Sequence, residues 1–283
     1  DMTPTPILIH TKSTGHGWSR IAKILHCLRQ YGYSLQQGIP GPGEVDASST
    51  GRATGSVCHV GTAHHYAHIG AQQRGGFQYG GVTHTDPAAF LAPDDAIDTV
   101  APLYPHAAIE LAHDVCRAYR AWYASEPIRV LYVEQLFELR IGEHRVTPRA
   151  DLVFESGGRV FVQDHKFLAS FTGKATERYA VDIQFLGWRY LGYVMWGERF
   201  GGVVLNVATK KAPYTFLRPP LASADQLLQQ LPQIVKDAEA RAALMEASGR
   251  PVDDWTPAVG ETACDTRYGM CAYASRCMYG LTR

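Results

Sequence analysis

The sequence has no excess charge of either sign, no long apolar run and few cysteines. Lysine plus arginine and aspartate plus glutamate both total 27 of 283 residues, so any nucleic-acid binding must come from a local basic cluster. No apolar run reaches the roughly 18 residues that a membrane span needs. Nor is a secretory signal visible, so we expect a soluble cytoplasmic protein, in a bacterial host or phage-infected cell. With only 6 cysteines, reduced thiols or metal ligands are favoured over a disulfide framework.

The rest of the composition permits a substantial core. Hydrophobic residues make up 46% of the chain, which is long enough to fold as one elaborated domain. No internal repeat or low-complexity segment divides it. We therefore predict one domain over residues 1–283, with its core at about 55–220.

The most informative stretch, residues 149–167, predicts a β-hairpin with charged side chains on one face. Two runs rich in valine, leucine and phenylalanine flank Gly157-Gly158, a pair that tolerates the positive φ angles of a tight turn. Asp151 lies on the first predicted strand. Asp164 and Lys166 lie two residues apart on the second, so both point to the same face.

The charges on such a face need compensation if the face is buried, because buried charges must be paired or must bind a metal. Mg²⁺ or Mn²⁺ between Asp151 and Asp164 meets this need, since both ions prefer hard oxygen ligands. Lys166 is then placed to position a water molecule or to neutralise charge on a phosphorane. The same pattern also fits an ion-paired hairpin on the protein surface.

A second polar pattern begins at Gly61 and predicts a helix. Gly61, His65, His68 and Gln72 follow one another at spacings of four, three and four residues, which places them on one helix face. These residues fit either a metal-binding face or a simple polar surface.

The arrangement D-x12-D-x-K across a hairpin resembles the PD-(D/E)XK nuclease superfamily, and Gly61-x3-His65 resembles the preceding helix of its RecB-type members. The resemblance implies the following metal ligands: His65, Asp151, Asp164 and the backbone carbonyl of His165. It makes Lys166 catalytic. Glu134 stands where the family often has another acid, although an ordinary ion pair also fits.

The resemblance continues on a later predicted helix. RecB-type domains place a glutamine near the substrate, with a tyrosine four residues later. This chain has Gln184, but Trp188 stands at the tyrosine position and Tyr190 follows. Any of these rings is able to stack on a base, or to pack in the helix core.

The last informative stretch contains Cys264-x6-Cys271-x5-Cys277. Three closely spaced cysteines need one more ligand for a four-thiolate site, and Cys27 is the best candidate, with Cys58 as an alternative. The pattern resembles the iron-sulfur nucleases, such as the AddB subunit and the four-cysteine CRISPR-associated nuclease. That resemblance implies a [4Fe-4S] cluster that joins the chain ends. A Zn²⁺ site is the main alternative.

Together these signals predict an α/β, restriction-endonuclease-like core with a mixed central sheet flanked by helices. A four-cysteine lobe is expected from about residues 15–35 and 250–283. We expect a DNA exonuclease acting on ends or single strands in recombination, repair or phage DNA processing, with a helicase or single-strand annealing protein as a candidate partner. A catalytically silent DNA-end-binding subunit and a metal-stapled scaffold for such a partner remain open.

Apolar periodicity adds expectations for the other elements. They are helices near 19–28 (including Cys27), 105–125, 176–196 and 222–247, strands at 129–141, 202–208 and 214–217, a loop at 34–57 and a long insertion at 74–105.

Overall fold

The computed structural model describes residues 6–9, 16–36, 50–255, 265–266 and 269–270. The chain divides into two compact units. The first unit contains residues 1–12, 47–137 and 149–228, and the second contains 13–46, 138–148 and 229–283. The prediction of a single domain with a terminal lobe stays a prediction.

The helices follow one another along the chain as α1 (Trp18–His26), α2 (Leu28–Tyr31), α3 (Thr50–Gln72), α4 (Pro93–Val100), α5 (His106–Trp122), α6 (Gly173–Val181), α7 (Ile183–Trp196) and α8 (Asp225–Ala247). The strands are β1 (Phe77–Tyr79), β2 (Val82–His84), β3 (Arg129–Leu136), β4 (Leu139–Ile141), β5 (His144–Val146), β6 (Arg149–Ser156), β7 (Arg159–Leu168), β8 (Phe200–Thr209), β9 (Phe216–Leu217), β10 (Asp265–Thr266) and β11 (Gly269–Met270). A π-helical turn covers Gly32–Gln36. Short 3₁₀ segments cover Pro87–Ala89, Ala101–Leu103, Gly197–Arg199 and Val252–Asp254.

The first unit contains a seven-stranded mixed sheet in the order β2-β1-β3-β6-β7-β8-β9. The pairs β1–β3 and β7–β8 are parallel, and the other neighbours are antiparallel. The predicted α/β class with a mixed central sheet is therefore confirmed.

Helices cover both faces of this sheet. On β8, Leu205 and Val207 pack with Tyr179 and Phe185 of α6 and α7, whereas Ala208 belongs to the larger core that contains α3, α4 and α5. This division follows from the period of two along a strand, which sends alternate side chains to opposite faces. The site described below lies where several of these strands end.

The β6–β7 hairpin has the predicted geometry. Ser156 pairs with Arg159, and Gly157 and Gly158 between them have φ angles of 57° and 76°. Two successive positive φ angles are typical of a type I′ turn, whose twist matches that of the flanking strands. The glycine pair therefore fixes the register that carries Asp151 and Asp164.

The second unit contains α1, α2, the β4–β5 and β10–β11 pairs and most of α8. Its first segment, residues 18–33, is joined to residues 239–255 by side-chain hydrogen bonds: Arg20 to Glu239, Arg29 to the Trp255 carbonyl, Tyr31 to Glu246 and Tyr33 to Asp253. Arg20, Glu239 and Tyr31 are largely buried. These bonds give the two segments a packed interface of their own.

Three expected elements differ from the structure. Cys27 lies between α1 and α2 in an extended conformation (φ −162°, ψ 116°), not within a helix. Residues 50–57, expected as loop, form the start of α3, because buried Ala53 and Val57 supply tertiary packing that outweighs the low helix propensity of glycine and threonine. The expected insertion at 74–105 contains β1, β2 and α4, with Gly80 and Gly81 at φ angles of 59° and 79° in the β1–β2 turn.

One other expectation is modified. The helix expected over residues 176–196 is divided at Asp182, whose side chain accepts a hydrogen bond from the Gln184 N–H at 2.8 Å and so caps α7. Strand β8 and the short β9 pair as expected. In the described part of the chain, no helix is long and apolar enough to cross a membrane.

Candidate active site

The β6 and β7 strands separate at the end of the hairpin that lies away from the turn. Their regular pairing stops at Leu152 and Gln163, so Asp151 and Asp164 are the first residues beyond it. There the Asp151 Oδ2 accepts a hydrogen bond from the backbone N–H of His165 at 2.8 Å. A carboxylate thus takes the place of a backbone acceptor, which leaves room between the strands for charged side chains.

Glu134 joins this group from the neighbouring strand β3. It lies between the Val133–Leu152 and Gln135–Ala150 pairs, which places it opposite Asp151. Its φ angle of 45° is positive, a conformation that costs a non-glycine residue about 1–2 kcal/mol. The side chain is buried. Such strain is typical of residues that a functional site holds in place.

Helix α3 contributes His59. Its Nδ1 lies 3.5 Å from Oδ2 of Asp151, and its ring packs edge-on against His165 and Phe167. The ligand atoms offered by His59, Glu134 and Asp151 all lie within 4.8 Å of one another. This spacing lets one ion contact all three side chains.

Asp164, Lys166 and Gln184 form a second polar group from β7 and α7. The Lys166 ammonium lies 2.6 Å from Oδ2 of Asp164. The Gln184 amide donates to Oδ1 of Asp164 at 2.8 Å and accepts from Lys166 at 3.2 Å. Apart from this ion pair, Oδ2 of Asp164 is buried away from other polar groups of the described structure. A carboxylate oxygen has two lone pairs, so it is still able to bind a metal.

The electrostatics of the site call for a further cation. Burial raises the pKa of both Asp151 and Asp164 to about 6, although Lys166 opposes the shift. Burial, and after it the carboxylate of Asp151, raises the pKa of Glu134 well above its ordinary value. At pH 7 the two aspartates are mostly ionised, so they and one ammonium already leave negative charge uncompensated. A divalent cation supplies that compensation.

The protonation states of the basic groups agree with such an ion. Burial, and after it the charge of Lys166, lowers the pKa of His59 to about 4, so the imidazole is neutral at pH 7 and able to bind a metal. Burial disfavours the charged form of Lys166, but Asp164 and Asp151 outweigh it and raise the lysine pKa. The donor set of carboxylates and one imidazole fits Mn²⁺ or Mg²⁺.

The structure places His65 elsewhere. Its ring packs against Tyr66 and Tyr119, and its buried Nε2 has no hydrogen-bond partner in the described residues. His65 follows His59 by six residues, which rotates it about 120° around the helix. His59 is therefore the α3 histidine that lies beside Asp151, and the role of His65 as a metal ligand stays a prediction. Gly55-x3-His59 has the same spacing as Gly61-x3-His65, so the signal was present in the sequence twice.

The other expected site residues are distributed as follows. Asp151, Asp164, Lys166, Glu134 and Gln184 lie together, as described above. His165 contributes its backbone N–H, and its carbonyl as a ligand stays a prediction. Trp188 is 2% exposed, which excludes it from stacking on a substrate. Cys264, Cys271 and Cys277 lie outside the described residues.

Comparison with known proteins agrees with this geometry. The family model of the PD-(D/E)XK nuclease superfamily matches residues 18–278. The chain belongs to this superfamily. The name PD-(D/E)XK refers to two acids and a lysine. In this chain Asp151, Asp164 and Lys166 of one hairpin provide these three groups. No curated protein matches the sequence.

Two solved structures are similar to this PD-(D/E)XK nuclease. One, described as "Putative exonuclease" from Eubacterium rectale, is 13% identical with a TM-score of 0.53, over 95% of this chain and 88% of that chain. The other, SSO0001, is 17% identical over 65% of this chain and 76% of that chain, with a TM-score of 0.32. The first likeness shows a shared fold, and the second is too low to carry an argument.

Proposed function

We propose that the protein is a Mg²⁺- or Mn²⁺-dependent deoxyribonuclease that acts as an exonuclease on DNA ends or single strands. The main support is the convergence of three acids, one neutral imidazole and one ammonium at the open end of the β6–β7 hairpin, where Glu134 and Asp164 are buried and Asp151 is half-buried. The description of the Eubacterium rectale protein as a "Putative exonuclease" supports the exonuclease assignment.

His59, Glu134, Asp151 and Asp164 would hold the metal. When bound, the ion polarises the scissile phosphate and lowers the pKa of a water molecule. The imidazole nitrogen favours Mn²⁺ over Mg²⁺, because it is a softer ligand than carboxylate oxygen. The protein's own contribution is to keep these side chains in place before the substrate arrives, which avoids reorganisation during the reaction.

Lys166 would stabilise the charge that develops on the phosphorane. Its ammonium is fixed by Asp164 on one side and by the Gln184 amide on the other. Because Gln184 donates to Asp164 and accepts from Lys166, its amide has one satisfied orientation. We assign Gln184 the role of holding the acid and the lysine in register.

The test is to incubate end-labelled linear DNA and closed circular DNA with the purified protein, with and without Mn²⁺. Metal-dependent loss of the end label, with circular DNA intact, is the expected result. Cleavage of circular DNA would replace the exonuclease assignment by an endonuclease. Binding of ends without cleavage in either metal would favour the silent end-binding subunit.

We further propose that Cys27, Cys264, Cys271 and Cys277 hold a [4Fe-4S] cluster, with Zn²⁺ as the alternative. The support is indirect. In the second unit, residues 18–33 are bonded to residues 239–255, nine positions before Cys264. The cluster would therefore reinforce an existing interface between the chain ends, rather than form their one connection.

A further inference from the structure

We propose that Tyr119 is a positioning residue that holds the metal ligands in place through His165. This inference rests on the proposed metal-dependent function and deepens it. The residues concerned form a buried polar cluster on the side of the sheet opposite to Asp164 and Lys166. We define this cluster as Tyr66, Tyr119, His165 and Asn206.

His165 connects the cluster to two of the candidate ligands. Its backbone N–H donates to Asp151 at 2.8 Å, and its ring lies edge-on to the His59 ring, with 6.3 Å between centroids and a 76° interplanar angle. His165 therefore contacts both Asp151 and His59 directly. We infer that its position affects how closely the two candidate ligands approach each other.

The His165 ring is itself held by the cluster. It is 3% exposed, stacks on the Tyr66 ring at 5.7 Å and 22°, and has its Nδ1 3.5 Å from the Tyr119 hydroxyl. His165 and Asn206 are also register partners on the parallel strands β7 and β8. The ring thus has packing on one side and a polar partner on another.

The Tyr119 hydroxyl contacts the three other members of the cluster. It lies 2.9 Å from the Tyr66 hydroxyl, and it accepts a hydrogen bond from the Asn206 side-chain amide, also at 2.9 Å. Tyr119 is fully buried, so water cannot replace a lost partner without entering the core. One hydroxyl on α5 therefore links α3, β7 and β8 behind the site.

Tyr119→Phe removes this hydroxyl and keeps the ring. Groups that orient metal ligands from behind are worth about 10–100-fold in metal affinity, and we expect a loss of that order. The measurement is a Mn²⁺ titration of the full chain without DNA, in which free Mn²⁺ is followed by electron paramagnetic resonance. Unfolding midpoints are measured on the same preparations.

The matched control is Tyr33→Phe, which removes another fully buried tyrosine hydroxyl, bonded to Asp253 in the second unit. Both variants are expected to lose stability, but only Tyr119→Phe is expected to lose Mn²⁺ affinity. Wild-type Mn²⁺ affinity in a folded Tyr119→Phe protein would overturn the proposal.

Two further variants complete the test. His165→Phe removes the nitrogen that faces the hydroxyl, and its effect on Mn²⁺ affinity should not add to that of Tyr119→Phe, because both break one linkage. Full additivity would overturn the linkage. If Tyr119→Phe does not fold, Asn206→Leu removes the donor to the same hydroxyl, with the same expected and contrary results. A wild-type protein that binds no Mn²⁺ would instead reject the proposed function itself.

Discussion

Replacing Asp164 by asparagine is expected to stabilise the metal-free protein while it abolishes cleavage. The carboxylate is 3% exposed, and its pKa is raised from its ordinary value of 3.8 to about 6. A shift of about 2 units corresponds to about 3 kcal/mol, the free energy by which the ionised carboxylate destabilises the fold. Asparagine removes this charge and retains an oxygen for Gln184, and Asp151 continues to favour the charged form of Lys166.

The sign of the pH dependence follows from the direction of the shift. The folded protein binds a proton on Asp164 at pH values where the unfolded chain has already released it. The stabilising contribution of this proton is therefore complete below about pH 3.8 and is lost as the pH rises through about 6. The free energy of unfolding of Asp164→Asn should therefore exceed that of the wild type most at pH 8, and only slightly at pH 4.

The assay is urea unfolding in EDTA at both pH values, followed by circular dichroism. Glu177→Gln, which removes an exposed carboxylate on α6, is the matched control and should unfold like the wild type. Adding Mn²⁺ at pH 8 should stabilise the wild type more than Asp164→Asn, because a ligand stabilises the state that binds it. An Asp164→Asn protein that is less stable than the wild type at pH 8 in EDTA would refute the reasoning.

Three further predictions concern the proposed metal ligands, Lys166 and the cysteines. His59→Ala should raise the Mn²⁺ concentration needed for cleavage about tenfold or more, and His65→Ala should not; equal effects in a Mn²⁺ titration would contradict the assignment of His59. Lys166→Ala should lower the cleavage rate about a hundredfold or more while Mn²⁺ binding is kept, and a loss of binding would make the lysine a structural group. Protein purified without oxygen should contain about four irons per chain, and iron analysis should find them lost in Cys27→Ala but kept in Cys58→Ala. Stoichiometric zinc without iron would replace the cluster by a zinc site.

The catalytic hairpin could be predicted from the sequence because its signals are local. A glycine pair fixes the turn, and the period of two along each strand then decides which side chains share a face. Asp151, Asp164 and Lys166 lie within one hairpin, so no long-range information was needed to bring them together. Glu134 was expected from the family resemblance, and the pairing of β3 with β6 places it opposite Asp151.

The histidine could not be chosen in the same way. Helix α3 contains Gly55-x3-His59 and Gly61-x3-His65, and both have the required spacing. Which of them faces the hairpin depends on how α3 packs on the sheet, and this is a long-range property. The ring of His59 meets His165 and Phe167 of β7, whereas that of His65 meets α5.

The division of the expected helix at 176–196 was also missed, although its cause is local. Asp182 two residues before Gln184 is an N-cap signal within a stretch that otherwise favours one continuous helix. The break matters for the site, because α7 starts afresh at Ile183 and so brings Gln184 to Asp164 from its first turn.

The scattering of the site residues along the chain also affects the biosynthesis of the protein. His59 is made first, Glu134 and the hairpin follow, and Gln184 is last. A ribosome adding about 5–20 residues per second needs roughly ten seconds to pass from the first of these to the last. During that interval the nascent chain lacks a complete candidate centre, because the residue that contacts both Asp164 and Lys166 has not yet been added.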